Sequence, residues 1–142
     1  MEPRNFLGID YGSRHCGLAI SLDRNIPLGL DVFSGNVEEV RERIEILIQE
    51  NKIEVVVVGI PESKVHGGEQ AREIMKFVDK LQKELPKVSI KTADEKMTTK
   101  LVNRYAKKEK EHQEAARVIL EDWMDAQGLL NSLNRVYLKS KI

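Results

Sequence analysis

At 142 residues the chain is long enough for one domain with a hydrophobic core, here residues 1–142, and too short for two full lobes. Lys and Arg number 23, as do Asp and Glu, so the overall field excludes global attraction of a polyanion and any nucleic-acid contact must be a local patch. The lone Cys16 excludes an internal disulfide and a multi-thiolate zinc site, and no stretch approaches the roughly 18 apolar residues of a membrane span; a reducing, cytoplasmic setting away from membranes is expected.

Phe6 to Asp10 and Cys16 to Ser21 are short apolar strands around Gly12-Ser13-Arg14-His15, whose Gly and polar residues suit a hairpin turn. A second turn at Asp23-Arg24-Asn25 leads to Leu28 to Phe33, a third antiparallel strand. From Asn36, a candidate N-cap, Val40, Ile44, Leu47 and Ile48 recur on one helical face. Val55 to Gly59 is apolar and β-branched, the pattern of a strand covered on both faces and expected in the middle of the sheet.

Ile74, Phe77, Val78, Leu81 and Leu85 mark a second helix stopped by Pro86, and Val88 to Thr92 a further strand, reached by a right-handed parallel crossover. Met97, Leu101, Val102 and Tyr105 suggest a short helix. Ala116, Ile119, Leu120 and Trp123 mark a last, long one ending near Leu133. The fold class is therefore α/β: a five-stranded mixed sheet, three antiparallel strands then two parallel, flanked by helices.

In such sheets active sites lie beyond the carboxyl ends of the central strands. Asp10 closes its strand there, and Asp94-Glu95 follow a parallel strand two places over. Converging carboxylates on rigid strand ends suit Mg2+ or Mn2+ and phosphodiester hydrolysis. Asp94 can equally N-cap the following helix, and Glu95 can be a solvated first-turn acid. Asp10 is harder to assign to structure alone, because an acid between Ile9 and a glycine-containing turn is costly to bury unless paired or metal-bound.

Four blocks carry a family resemblance: Gly8-Ile9-Asp10-Tyr11-Gly12-Ser13 with Gly17-Leu18-Ala19-Ile20, then Val58-Gly59-Ile60-Pro61, then Asp94-Glu95-Lys96-Met97-Thr98-Thr99, then Ala115 to Leu120. In this order, over nearly the whole chain, they resemble the YqgF/RuvX family. The resemblance implies a ribonuclease H-like fold and a nuclease assigned either to 5′-end maturation of precursor 16S ribosomal RNA or to Holliday junction resolution, the RNA role being preferred. It also implies Asp10 as the first metal ligand and Glu95, with Asp94 beside it, as the second acidic element.

The family's third acid, three residues before the first Ala of the last helix, is replaced by His112. Four residues before Ala116 and seven before Ile119, His112 still lies on the sheet-facing stripe, where an imidazole is acceptable to manganese or serves as general acid or base. Alternatively it is an ordinary helix-start residue, with Glu109 or Glu111 in its place. The segment before it, shorter than is usual in the family, holds Lys96, Lys100, Arg104, Lys107, Lys108 and Lys110, a patch for phosphate or simply a solvated face. Arg14 and His15 can position a phosphate beside Asp10; His66 with Gly67-Gly68 reads as a helix entry, and Cys16 as packing.

Two other classes compete. Asp-x-Gly followed by Gly-x-Ala also resembles the phosphate-binding hairpin of actin-like sugar kinases and ATPases, but those need a second lobe of similar size. A nucleic-acid-binding ribosome-assembly factor with weakened catalysis is the other, motivated by His112. Oligomeric state stays open.

Overall fold

A computed structural model describes residues 2–12, 14–61, 68–95 and 111–131, with Glu95 described by its backbone only. Strands β1 (Phe6–Tyr11), β2 (Cys16–Ser21) and β3 (Leu28–Phe33) form the expected antiparallel meander. Asp23 and Arg24 make its second turn in the left-handed region, φ 59° and 63°. Helix α1 (Val37–Asn51) starts at Asn36 with a full capping box: the Asn36 side chain accepts the Glu39 N–H at 2.9 Å, and Glu39 accepts the Asn36 N–H at 3.1 Å. This satisfies two donors that the first turn would otherwise leave unpaired, for about 1 kcal/mol.

Strand β4 (Val55–Pro61) pairs parallel to β1, helix α2 (Glu69–Glu84) crosses back, and β5 (Ser89–Glu95) pairs parallel to β4. The sheet order is β3-β2-β1-β4-β5. β4 is thus interior, as its four buried valines require, but the middle strand is β1. β5 runs further than its apolar residues suggested: hydrogen bonding to β4 carries it through Asp94 and Glu95, which end the strand instead of following it. The last described helix, α3 (Glu111–Ala126), ends well before Leu133, because a turn follows in which Gly128 adopts φ 69°. The short helix expected around Leu101 lies outside the described residues.

The two faces of the sheet are packed differently. On one, Leu7, Ile9, Leu18, Val56 and Val58 meet the apolar stripes of α1 and α2, including Ile44, Phe77 and Leu81. Burying each such aliphatic side chain contributes about 1.5–3 kcal/mol. Arg41 and Lys80 bridge α1 to α2 by sharing Glu38 and Glu84. The other face has a floor of small residues, and α3 lies directly on it, with Ile119, Leu120 and Met124 packed against Phe6, Val55 and Val57.

That floor is required by contact. A Cβ at Gly8 would sit 2.8 Å from the Ala116 carbonyl oxygen, and one at Gly17 would overlap the His112 carbonyl. At Gly59 a Cβ would instead meet the tip of the Ile119 side chain, which can turn away. Gly17→Ala is therefore expected to destabilise the fold by about 3 kcal/mol and Gly59→Ala by about 1 kcal/mol, read as urea midpoints at unchanged slope. Equal losses would show that helix and sheet are not held at backbone contact.

Cys16 is packing, as its position suggested: 1% exposed, with its thiol pushed up to about 12 by burial and then by the charge of Asp10. Folded, it keeps its proton where an unfolded thiol, pKa about 8.5, gives it up, so this group makes stability fall as pH rises above that value. Labelling by a thiol reagent at pH 8 should proceed only as fast as the protein opens. Immediate labelling would place Cys16 at the surface.

Candidate active site

The site is assembled by the register of β1 and β2 and the seating of α3. Asp10 pairs with Gly17 across the hairpin, and the first turn of α3 rests on Gly17. The His112 backbone is thereby fixed above the strand pair that carries Asp10. Its Nδ1 lies 3.0 Å from Asp10 Oδ2, joining residues 102 apart in the chain. Asp10 remains 20% exposed and His112 36%, so the pair is accessible at the sheet edge. A carboxylate oxygen accepts, so a hydrogen sits on His112 Nδ1 in this contact.

The β1–β2 turn brings a second imidazole alongside. The Gly12 N–H donates to the His15 carbonyl at 3.0 Å, closing the turn. His15 Nδ1 is 2.7 Å from Ser34 Oγ at the end of β3, and its ring centroid is 5.7 Å from that of His112. Arg14 is exposed in the same turn. Ser34 is a partner that no sequence pattern singled out; the only hint was a Ser-Gly pair directly after a strand.

Across the parallel strands Ile9 pairs with Val58, and Gly59 with Ala93. Asp10 is therefore level with Gly59 and Ala93, and pleat alternation keeps Ala93 and Glu95 in phase with it. Asp94 is out of phase, at an exposed position facing the α1–α2 side. The backbone thus separates the two neighbouring acids: the Glu95 position shares the Asp10 face, and the Asp94 position does not. Lys96, Lys100, Arg104, Lys107 and Lys108 lie outside the described residues, as does His66.

Among the described residues no three His, Cys, Asp or Glu side chains form a metal cluster. Asp10 and His112 nevertheless supply an oxygen and a nitrogen donor at the carboxyl ends of parallel strands, a donor set that suits a borderline divalent ion better than magnesium alone. Tyr11, the next residue, turns to the other face and stacks on Phe77 at 4.0 Å with the rings 10° from parallel. Among the described residues no helix is long and apolar enough to cross a membrane.

The chain is similar to known proteins along most of its length. A protein from Sulfurihydrogenibium sp. is 33% identical over 134 residues, 88% of this chain and 92% of its own length. One from Acetivibrio thermocellus is 32% identical over 140 residues, 86% and 96% of the two chains, and one from Staphylococcus epidermidis is 30% identical over 140 residues, 89% and 99%. Each bears the name "Putative pre-16S rRNA nuclease". The structure of T. thermophilus RuvC in complex with Holliday junction substrate superposes with a TM-score of 0.61 at 17% identity, covering 89% of this chain and 97% of that one. At that identity the likeness establishes the fold, which is ribonuclease H-like. The family model described as "RuvX: Holliday junction resolvase" matches residues 4–126, and with these relatives it shows that the chain belongs to the RuvX family.

Proposed function

We propose that this protein is a metal-dependent nuclease that hydrolyses phosphodiester bonds in precursor 16S ribosomal RNA, maturing its 5′ end. The observation that carries the reading is the partly exposed Asp10–His112 pair, at the positions for which the family resemblance implies acids. The names of the relatives support the RNA substrate. Asp10 and the acid of Glu95 would hold Mg2+ or Mn2+, with His112 beside them. Such a cation, when bound, activates water and stabilises the leaving oxygen.

What the chain itself contributes is orientation. Asp10 Oδ2 is held by His112, which orients the carboxylate that would hold a cation. The His112 imidazole, beside the carboxylate, would complete the donor set or act as a general acid or base. Arg14, with Lys96, Lys100, Arg104, Lys107 and Lys108, would neutralise phosphates of the bound strand. Asp94 serves outside the ligand set. The family model's description favours a second substrate, branched DNA, which the same chemistry would cut.

Cleavage of an end-labelled precursor RNA is expected with manganese and more weakly with magnesium. Asp10→Asn should lower the rate about a hundredfold or more, because several kcal/mol of charge stabilisation depend on that ligand. A four-way DNA junction run in parallel decides the substrate; faster resolution of the junction would reverse the assignment. Binding of RNA without Asp10-dependent cleavage in either metal would leave only an assembly factor.

His112 separates ligand from bystander. His112→Ala should cost about 10–100-fold in metal affinity or rate, the usual effect of removing a group that orients a ligand. His112→Asp should raise the magnesium-supported rate relative to the manganese-supported one, since it restores a hard oxygen donor. An unchanged metal preference in both variants would remove His112 from the site.

A further inference from the structure

Two cavities share Tyr11 and Glu73 on the side of the sheet away from His112. One, about 430 Å3, is bordered by Glu69, Gln70 and Ile74 as well; the other, about 480 Å3, by Val37, Lys76, Phe77 and Lys80. Volumes of this size are at the small-ligand end of the range for binding sites. Glu73, Lys76, Phe77 and Lys80 fall at helical spacing on one strip of α2. That strip faces the end of β1, where Tyr11 emerges.

Tyr11 is an aromatic platform. Phe77, 2% exposed, covers one side of its ring in a parallel stack, so the ring's remaining exposure is to the cavities it lines. Lys80 is engaged by Glu38 and Glu84, whereas Lys76 is exposed and makes no ion pair with a described residue. The cavity edge thus combines a stacking surface, an exposed carboxylate and one cation.

From this juxtaposition we infer that Tyr11 and Glu73 form a guanine-binding subsite for a single-stranded nucleotide adjoining the scissile phosphate, a step that rests on the nuclease reading above. The base stacks on Tyr11, extending the Tyr11–Phe77 pair, as unpaired bases stack on aromatic side chains elsewhere. The Glu73 carboxylate accepts both donors of the guanine Watson–Crick edge, N1–H and the 2-amino group, a match its two oxygens make side by side. Uracil presents one N–H between two carbonyls that repel a carboxylate, and adenine offers a single donor beside an acceptor. Lys76 neutralises the phosphate of that nucleotide.

The position relative to Asp10 gives the subsite its meaning. Asp10 and Tyr11 are consecutive residues of one strand, so their side chains leave opposite faces at the same carboxyl edge. An RNA strand crossing that edge can present a phosphate to Asp10 on one face while its neighbouring base turns into the cavity on the other. Two carboxylates, Glu69 and Glu73, border the cavity and disfavour phosphate within it, which orients the nucleotide base-inward.

The test is equilibrium binding of the full chain in EDTA, where no cleavage occurs, to a short fluorescent oligouridine carrying one central guanosine, inosine or uridine. Guanosine should bind about five-fold or more tightly than uridine, the low end of a bidentate base contact, and inosine, lacking the 2-amino group, should lose most of that gain. Glu73→Gln, at an exposed helix position, should abolish the guanosine preference without changing the melting temperature. Guanosine binding should also shift the Tyr11 ring protons upfield in NMR spectra. Guanosine monophosphate alone should bind more weakly than the oligonucleotide; equal affinity would overturn the strand-borne assignment.

Equal binding of the three oligonucleotides, or a preference that survives Glu73→Gln, overturns the subsite. Cleavage without guanine preference sinks this inference and spares the nuclease. Guanine preference without cleavage does the reverse.

Discussion

Everything at the site depends on how closely α3 lies against the sheet. Gly8 and Gly17 meet backbone atoms of α3, so at these points no side chain separates helix from strand. Contact of that kind has little freedom to relax, because the opposing atoms belong to two hydrogen-bonded ladders. The position of His112 is consequently set by strand register, since Gly17 both pairs with Asp10 and supports the His112 peptide. The opposite face works differently. There, interlocking aliphatic side chains from α1 and α2 fill the space, and substitution can be absorbed by repacking.

The same arrangement explains how an acid is kept in the middle strand. Asp10 is flanked by Ile9 and by a hairpin, and its charge reaches far enough to raise the Cys16 thiol on the adjacent strand. A carboxylate in that position needs a donor, and the last helix delivers one from far along the chain. The fold thus holds its charged centre by the same contact that positions it.

How much of this was legible in the sequence varied with the kind of interaction. The meander, the Asn36 cap and the two-sided burial of Val55 to Val58 follow from local periodicity, and all are present. Burial on both faces does not say which interior place a strand takes, so β4 was expected in the middle where β1 stands. The end of β5 carried no apolar signal, because Lys91 and Thr92 are exposed on an edge strand and only pairing with β4 extends it. Leu129 and Leu130 continued the apolar pattern of α3 beyond the point where Gly128 breaks the helix. Asp10 was legible as an acid at a strand end. His112 was brought to the same site by the family resemblance and its place on the sheet-facing stripe, but local pattern did not give the direct hydrogen bond, since contact across 102 residues requires knowing that Gly17 lets the helix down onto the strand.

On the proposed nuclease reading, His112 in place of the acid expected from the family resemblance would alter the logic of a metal site. Two carboxylates about 4 Å apart repel each other, by about 1 kcal/mol in water and several-fold more where the surroundings are less polar, so a pair of acids here would be relieved by a cation. Asp10 and His112 are already complementary: the imidazole N–H satisfies one carboxylate oxygen. On that reading a cation would be held by this pair without breaking its hydrogen bond, or would displace that bond. The first route conserves the observed geometry and would favour an ion tolerant of nitrogen, such as manganese. The substitution would then tune the ion selected, while the register of the Gly17–Asp10 pair fixes where the carboxylate stands.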